Sequence, residues 1–415
     1  MATLRVGLLT REYPPEVYGG AGVHVEYLSQ ALASLVDVEV HCFGAPRTDP
    51  LVAGAYQPWD ALAGGDGHMA ALRHLSTDLM MVAGAGGVDI VHSHTWYANM
   101  AGHLSGLAYD VPHVLTTHSL EPLRPWKREQ LGGGYALSSF AERTAVLGAD
   151  AVIAVSQQMR DDILACYPQT DPGRVTVIPN GIDTAVYSPD LKTDVLERLG
   201  VDLRRPIVTF VGRITRQKGF THLLDAAQFI RPEAQLLLCA GAADTAELQQ
   251  EVAAKVELLR AVRDGVWWIV EHLPRRHVVQ LLSHTTVFVC PSIYEPFGLV
   301  NVEAMACEAA VVGASVGGIP EIIVEGETGH LVPFEVARDA YGSPADPDGY
   351  ARDLAAAIND LVRDPERAAA WGRRGRLRAV AEFSWSSVAE RTVQLYRSVV
   401  HDRWQATASP SAGMS

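Results

Sequence analysis

Five cysteines in 415 residues, with no CxxC pair and no zinc spacing, exclude a disulfide framework and a cysteine-built metal centre. Cys42, Cys239 and Cys290 lie in apolar runs and read as buried fillers. Basic charge is also scarce: 34 Lys and Arg face 48 Asp and Glu, for a net charge of −14. Nucleic acid and anionic lipid both require a basic surface, so neither is expected as a partner, and an anionic substrate would depend on a local basic pocket. No apolar run reaches membrane-spanning length, and no basic segment followed by a long apolar stretch opens the chain, so a cytoplasmic protein is expected. There is no repeat at solenoid periods and no GxGxxG fingerprint. What is present is a chain of 48% hydrophobic and 20% charged residues, long enough for two domains with large cores.

Apolar, β-branched runs at 4–10, 38–43, 88–92, 114–117, 151–155 and 175–178 read as strands alternating with helices, the first helix at 23–35. Polar residues cluster just past their carboxyl ends, the edge at which open parallel sheets bind ligands. The first cluster is the loop from Arg11 to Gly22, including Gly19 and Gly20; the others are His92-Ser93-His94-Thr95-Trp96 and His118. The glycines serve either a tight turn or the close approach of a ligand. A mixed-charge segment at 183–205 reads as a hinge, after which strands recur at 207–211, 236–240, 266–270, 287–290 and 310–314, the last expected to close the sheet. Helices are expected at 348–363, 366–381 and 386–402. Residues 45–71, rich in Gly, Ala, Pro and Asp, receive no assignment. The fold expected is α/β, with two Rossmann-like, doubly wound domains at 1–188 and 189–385 and a disordered tail at 405–415.

The stretch VFVCPSIYEPFGLVNVE at 287–303 organises the chemistry. A buried strand ends at Pro291, and Phe297-Gly298-Leu299 leads into a helix whose first N–H groups and dipole suit a phosphate. Glu295 and Glu303 would repel that phosphate, so the pair makes sense if it accepts hydrogen bonds from sugar hydroxyls; for either acid alone, a solvated position is the plain reading. Arg213 and Lys218 follow an earlier strand in a loop loosened by Gly212 and Gly219. A guanidinium fork and a flexible ammonium can grip a diphosphate, although a solvated basic loop is the ordinary alternative.

Gly212-Arg213 with Lys218, the E-x7-E element at 295–303, GGIPE at 317–321 and VIPNGID at 177–183 resemble the retaining GT-B glycosyltransferases of family 4 and the related bacterial glycogen synthases. The resemblance runs from Arg5 to about Trp404. Through TREYPPEVYGGAGVHV, THSLEPLRPWKREQLGGGYALSSFAERTA and YEPFGLVNVEAMACE it is narrower, to the ADP-glucose-dependent type that makes α-maltose-1-phosphate from glucose-1-phosphate.

The resemblance implies two Rossmann-like domains facing across a cleft, with the last helix (386–404) crossing back to the first, and a possible homodimer. It implies that Arg213 and Lys218 hold the donor diphosphate and that the amides of Phe297, Gly298 and Leu299 cap its distal phosphate. Glu295 would bind the transferred glucose, Glu303 the ribose, and His118 the sugar near its reacting carbon, while the Gly19-Gly20 loop would lie against donor phosphate and acceptor. Family members of the glycogen synthase type carry a Lys before the paired glycines; here Val17-Tyr18 stand there. Arg124 and Lys127 are candidates for the phosphate of a sugar phosphate acceptor, as against ordinary surface charge. Trp96 and Tyr135 offer faces for a sugar, while His92 and His94 read first as core histidines, His94 being a candidate for the acceptor side. No first-domain carboxylate is an obvious nucleophile, so retention is expected by a front-face, oxocarbenium-like route. No metal and no cofactor are expected, because Arg213, Lys218 and the helix start neutralise the diphosphate.

Overall fold

The computed structural model describes residues 3–62, 69–124, 134–337 and 342–408. The chain forms two compact units, 1–181 with 385–415, and 182–384. The expected division at 188/189 thus lies at 181/182, and the segment read as a hinge belongs to the second unit.

The first unit is built on seven strands: β1 (Arg5–Thr10), β2 (Asp37–Phe43), β3 (Val52–Tyr56), β4 (Ile90–His94), β5 (His113–Thr117), β6 (Ala151–Ala154) and β7 (Val175–Val177). They pair in the order β3-β2-β1-β4-β5-β6-β7, all parallel, with Val6 opposite Val38 on one side and Ile90 on the other. Strand order reverses between β1 and β4, so the loop after Thr10 and the end of β4 flank the switch point where such sheets take ligands. β4 runs two residues past its expected end. Its polar residues His92, Ser93 and His94 are all buried and stay in the ladder, which a hydropathy reading cuts short.

Part of the unassigned stretch is β3, whose sequence VAGAY has too little bulk to announce a strand. Helices at Trp96–Tyr109 and Gly134–Gly148, missed in the sequence, pack on each other. The first helix starts earlier than expected, at Gly20–Leu32. The last, Trp385–Ala408, runs into what was read as a disordered tail; residues 409–415 lie outside those described. It belongs to the first unit: Trp385 stacks on Tyr27 at 5.9 Å, and the Tyr396 hydroxyl meets His92 Nδ1 at 2.6 Å.

The second unit has six parallel strands: β8 (Ile207–Ile214), β9 (Gln235–Ala243), β10 (Val266–Ile269), β11 (Val287–Cys290), β12 (Ala310–Ala314) and β13 (Gly329–Val332). Their order is β10-β9-β8-β11-β12-β13, so its switch point lies between β8 and β11. The strand at 310–314 does not close the sheet; β13, only four residues long, adds the edge. Phe220, Phe288 and Leu236 are among the buried side chains of this unit, each worth about 1.5–3 kcal/mol of transfer free energy for a large apolar group.

Candidate active site

In the second unit, β8 extends through Ile214, so Arg213 sits on the strand's last turnout and not in the loop beyond it. Thr215 then accepts a hydrogen bond from the Lys218 N–H at 3.2 Å and closes a single 3-10 turn. Gly219 follows with φ +62, and a Cβ there would sit 1.9 Å from the Pro291 carbonyl oxygen. Only glycine permits that approach, which draws the turn against the exit of β11; Ile293 N–H donates to the Gln217 carbonyl at 2.9 Å. The result is that Lys218 Nζ lies 2.6 Å from Glu295 Oε2, which also accepts from the Ser292 hydroxyl at 3.0 Å.

Burial of Lys218 works against its charge, but the Glu295 carboxylate, the Cys290 thiol and the hydrogen bond outweigh this and raise its pKa. Arg213 pulls the other way, which places it in the same electrostatic neighbourhood. Glu303, on the helix Leu299–Ala306, has its pKa raised by burial, against the lowering effects of a Tyr187 hydrogen bond, Arg275 and Lys218. Lys218 and Glu295 are thus joined at the switch point of the sheet, where Arg213 ends β8 and Glu303 lies on the helix after β11, each within electrostatic reach of Lys218. Phe297 is buried, Gly298 has φ +103, and no described side chain caps the helix that begins at Leu299.

The sequence showed Gly317 and Gly318 only as part of a motif; the structure shows what they do. Gly318 N–H donates to the Glu295 carbonyl at 2.9 Å, and a Cβ on Gly317 (φ +55) would lie 1.9 Å from that same oxygen. Gly317→Ala is therefore expected to displace the Glu295 turn, cutting kcat/KM about tenfold or more and lowering the unfolding midpoint, since a residue forced into such a backbone region costs of order 1–3 kcal/mol before the clash is counted. Unchanged kinetics would mean the turn does not depend on this contact.

In the first unit, the loop after β1 is held by a residue to which the sequence assigned no role. Glu12 accepts from the N–H groups of Tyr18 and Gly19 at 2.8 and 2.7 Å, and a Cβ on Gly22 would meet the Glu12 side chain at 2.8 Å. Gly19 is extended and Gly20 opens the helix, where an added Cβ would meet nothing within 4 Å.

At the adjacent strand ends, His94 Nδ1 lies 3.1 Å from His118 Nε2, and the His24 ring packs edge-on to His118 at 4.8 Å between centroids. Burial holds His24 at about 4 and His92, His94 and His118 well below the usual imidazole range, with neighbouring imidazoles adding to the shift in the last three. His118 is thus neutral at physiological pH and can offer one N–H and one lone pair.

These groups fix the sign of the pH dependence of stability. His24, His41, His92, His94, His113 and His118 have native pKa values below the unfolded value near 6.5, so only the unfolded chain takes up their protons as pH falls. Their contribution is complete above about pH 6.5 and is lost below it, by about 1.4 kcal/mol per pH unit per proton. Asp78, Glu142 and Glu303, raised by burial, oppose this with fewer groups. The unfolding midpoint should fall from pH 7 to pH 5 in a calorimetric series; a flat or rising midpoint would contradict this balance.

The acceptor-side candidates divide. Trp96 is 4% exposed, packed on Tyr97 at 4.1 Å and edge-on to His74 at 5.6 Å. It has no free face for a sugar and is a core residue, a correction to the expected stacking role. Tyr135 is half-buried, and its hydroxyl donates to the Glu121 carbonyl at 2.7 Å. Arg124 donates to the Ser119 hydroxyl at 2.9 Å and lies 3.7 Å from the buried Glu121 carboxylate. Lys127 lies outside the described residues.

Residues 18–186 match the model of Glycosyltransferase Family 4, and residues 192–378 that of Glycosyl transferases group 1. The chain is 55% identical to the α-maltose-1-phosphate synthase of Mycolicibacterium smegmatis over 399 residues, 95% of this chain and 100% of that one. It is a family 4 glycosyltransferase.

A glycogen synthase of Mycobacterium tuberculosis is more distant, 30% identical over 95% of this chain and 94% of its own length. Among solved structures, a sucrose-phosphate synthase from Thermosynechococcus elongatus superposes with a TM-score of 0.78 at 26% identity, covering 96% of this chain and 100% of that one. The two parallel-sheet domains are thus those of a GT-B glycosyltransferase. No helix among the described residues of this glycosyltransferase is long and apolar enough to cross a membrane.

Proposed function

We propose that this glycosyltransferase moves glucose from ADP-glucose to glucose-1-phosphate, giving α-maltose-1-phosphate, and also serves the ends of α-1,4-glucans in cytoplasmic glycogen synthesis. The observation that carries the reading is the identity with α-maltose-1-phosphate synthase over that enzyme's whole length. The grouping of Arg213, Lys218, Glu295 and Glu303 at one sheet edge supports a nucleotide-sugar donor.

In this reading the basic pair and the start of the helix at Leu299 hold the diphosphate, and Glu303 takes the ribose. Glu295 exchanges its ion pair with Lys218 for hydroxyls of the glucose once the ammonium turns to phosphate. The bond from the anomeric carbon to the diphosphate oxygen breaks as the acceptor hydroxyl approaches the same face. The acceptor's proton passes to the departing diphosphate, and the new glycosidic bond keeps the α configuration. Neutral His118 donates a hydrogen bond to the reacting sugar. The cationic pair supplies the charge stabilisation for which other transferases use a metal ion.

A donor and acceptor screen with product analysis tests this. ADP release from ADP-glucose should depend on glucose-1-phosphate and yield an α-linked disaccharide phosphate. Acceptor-independent release, or clear preference for UDP-glucose, would overturn it.

A further inference from the structure

Three imidazoles meet at the carboxyl edge of the first unit's sheet with more nitrogen atoms than partners. His24 comes from the helix Gly20–Leu32, His94 from the end of β4, and His118 from the residue after β5. One ring nitrogen from each lies within 4.8 Å of the other two. Both nitrogens of His24 and Nε2 of His94 are buried without a hydrogen-bond partner. We propose that His24, His94 and His118 form a binding site for one divalent transition cation, zinc by ligand chemistry, and that filling it reversibly switches off glucosyl transfer.

The spacing suits this. Two nitrogens each about 2 Å from a tetrahedral zinc stand about 3.3 Å apart. The His94–His118 pair is already at 3.1 Å. The His24 ring has to close by no more than about 1.5 Å to reach the same ion. The hydrogen now between His94 and His118 moves to the outer nitrogen of whichever ring carries it, so the ion enters three neutral imidazoles without net proton release.

Compensation is in place around the cluster. An unpaired buried nitrogen is a cost, and coordination relieves it at one nitrogen of His24. Asn180 Oδ1, also buried without a partner, acts on the His24 ring and can accept the N–H of a metal-bound His24. His92 packs on His94 at 4.2 Å and is itself fixed by Tyr396 and Thr116. Among the described residues no carboxylate joins the cluster, which leaves hard cations such as magnesium without the oxygen ligands they require. His118 is the partly exposed member, leaving room for a water as fourth ligand.

The switch, unlike the site, rests on the reading of His118 as the group that contacts the reacting glucose: an ion on Nε2 pins the ring and sets positive charge beside a sugar that becomes cation-like as it reacts. The test uses the full chain stripped with a chelator. Calorimetric titration with zinc chloride should show one site per chain in the micromolar range, cobalt should give the visible bands of a tetrahedral nitrogen site, and magnesium should give no heat. His24→Gln should weaken zinc about tenfold or more, and His94→Gln provides the same measurement if the first variant fails to fold. Absence of stoichiometric zinc uptake, or variants that bind like the parent, overturns the site and leaves the role of His118 untouched. Binding without loss of transfer overturns the switch and counts against that role.

Discussion

Lys218→Met should lower kcat/KM for the nucleotide-sugar donor by about a thousandfold, most of it in kcat, with the donor's KM rising only a few-fold. The reason is where charge develops. A bound diphosphate already carries negative charge, and the ammonium adds about 1.5–3 kcal/mol to holding it. As the glycosidic bond breaks, further charge moves onto the leaving oxygen, and a preorganised cation in a partly dehydrated site is worth more there than in the ground state.

The structure adds a second cost, because Glu295 is 6% exposed and its ion-pair partner is Lys218. Without the ammonium, Glu295 keeps the Ser292 hydroxyl but loses the opposite charge that compensates its burial. Lys218→Met should therefore also reduce stability, whereas the double variant Lys218→Met with Glu295→Gln should recover the unfolding midpoint and not the rate. If the double variant recovered both, Lys218 would be a structural partner of Glu295 and not a contact to phosphate.

The turn around Glu295 was legible because its signals agree: a continuous apolar strand, a proline that ends it, a glycine before a helix, and two acids where solvated ones have little reason to recur. Its support was not. Gly219 and Gly317 act through what they lack, allowing backbone to come against Pro291 and Glu295, and nothing in an isolated Gly shows which carbonyl it will meet. Glu12 reads as one more loop acid until its carboxylate is seen on the N–H groups of Tyr18 and Gly19. His24 sits on an apolar helix face, where a histidine resembles a satisfied core residue.

Trp96 was misjudged in the opposite sense. An aromatic residue just past a strand end suggests a platform, but its exposure is set by Tyr97 and His74, the second from a helix distant in sequence. Strands β3 and β13 escaped for want of bulk, since Gly, Ala and a four-residue length leave hydropathy little to register.

His118→Ala is expected to reduce kcat about a hundredfold while leaving the donor's KM within a few-fold, because a hydrogen bond that strengthens as the sugar becomes cation-like acts on the barrier more than on binding. A nucleophilic histidine predicts a different pattern: rate lost almost entirely, and a glycosyl-enzyme that can be trapped. The structure favours the former, since the ring is half-buried, neutral and hydrogen-bonded to His94 in a cluster whose desolvation and neighbouring imidazoles push its pKa well below the usual value.

The pH profile carries the same distinction. An imidazole acting as a general base with an ordinary pKa would give kcat an acid limb near 6.5. One held neutral by burial gives no limb there, and kcat for His118-dependent transfer should stay level from about pH 6 to 8 while the protein remains folded. His118→Gln, which restores an N–H donor without a titratable ring, should recover part of the loss and keep the same level profile. An acid limb near 6.5 in the parent that disappears in the glutamine variant would show that the ring titrates in the working enzyme and takes a proton during the reaction.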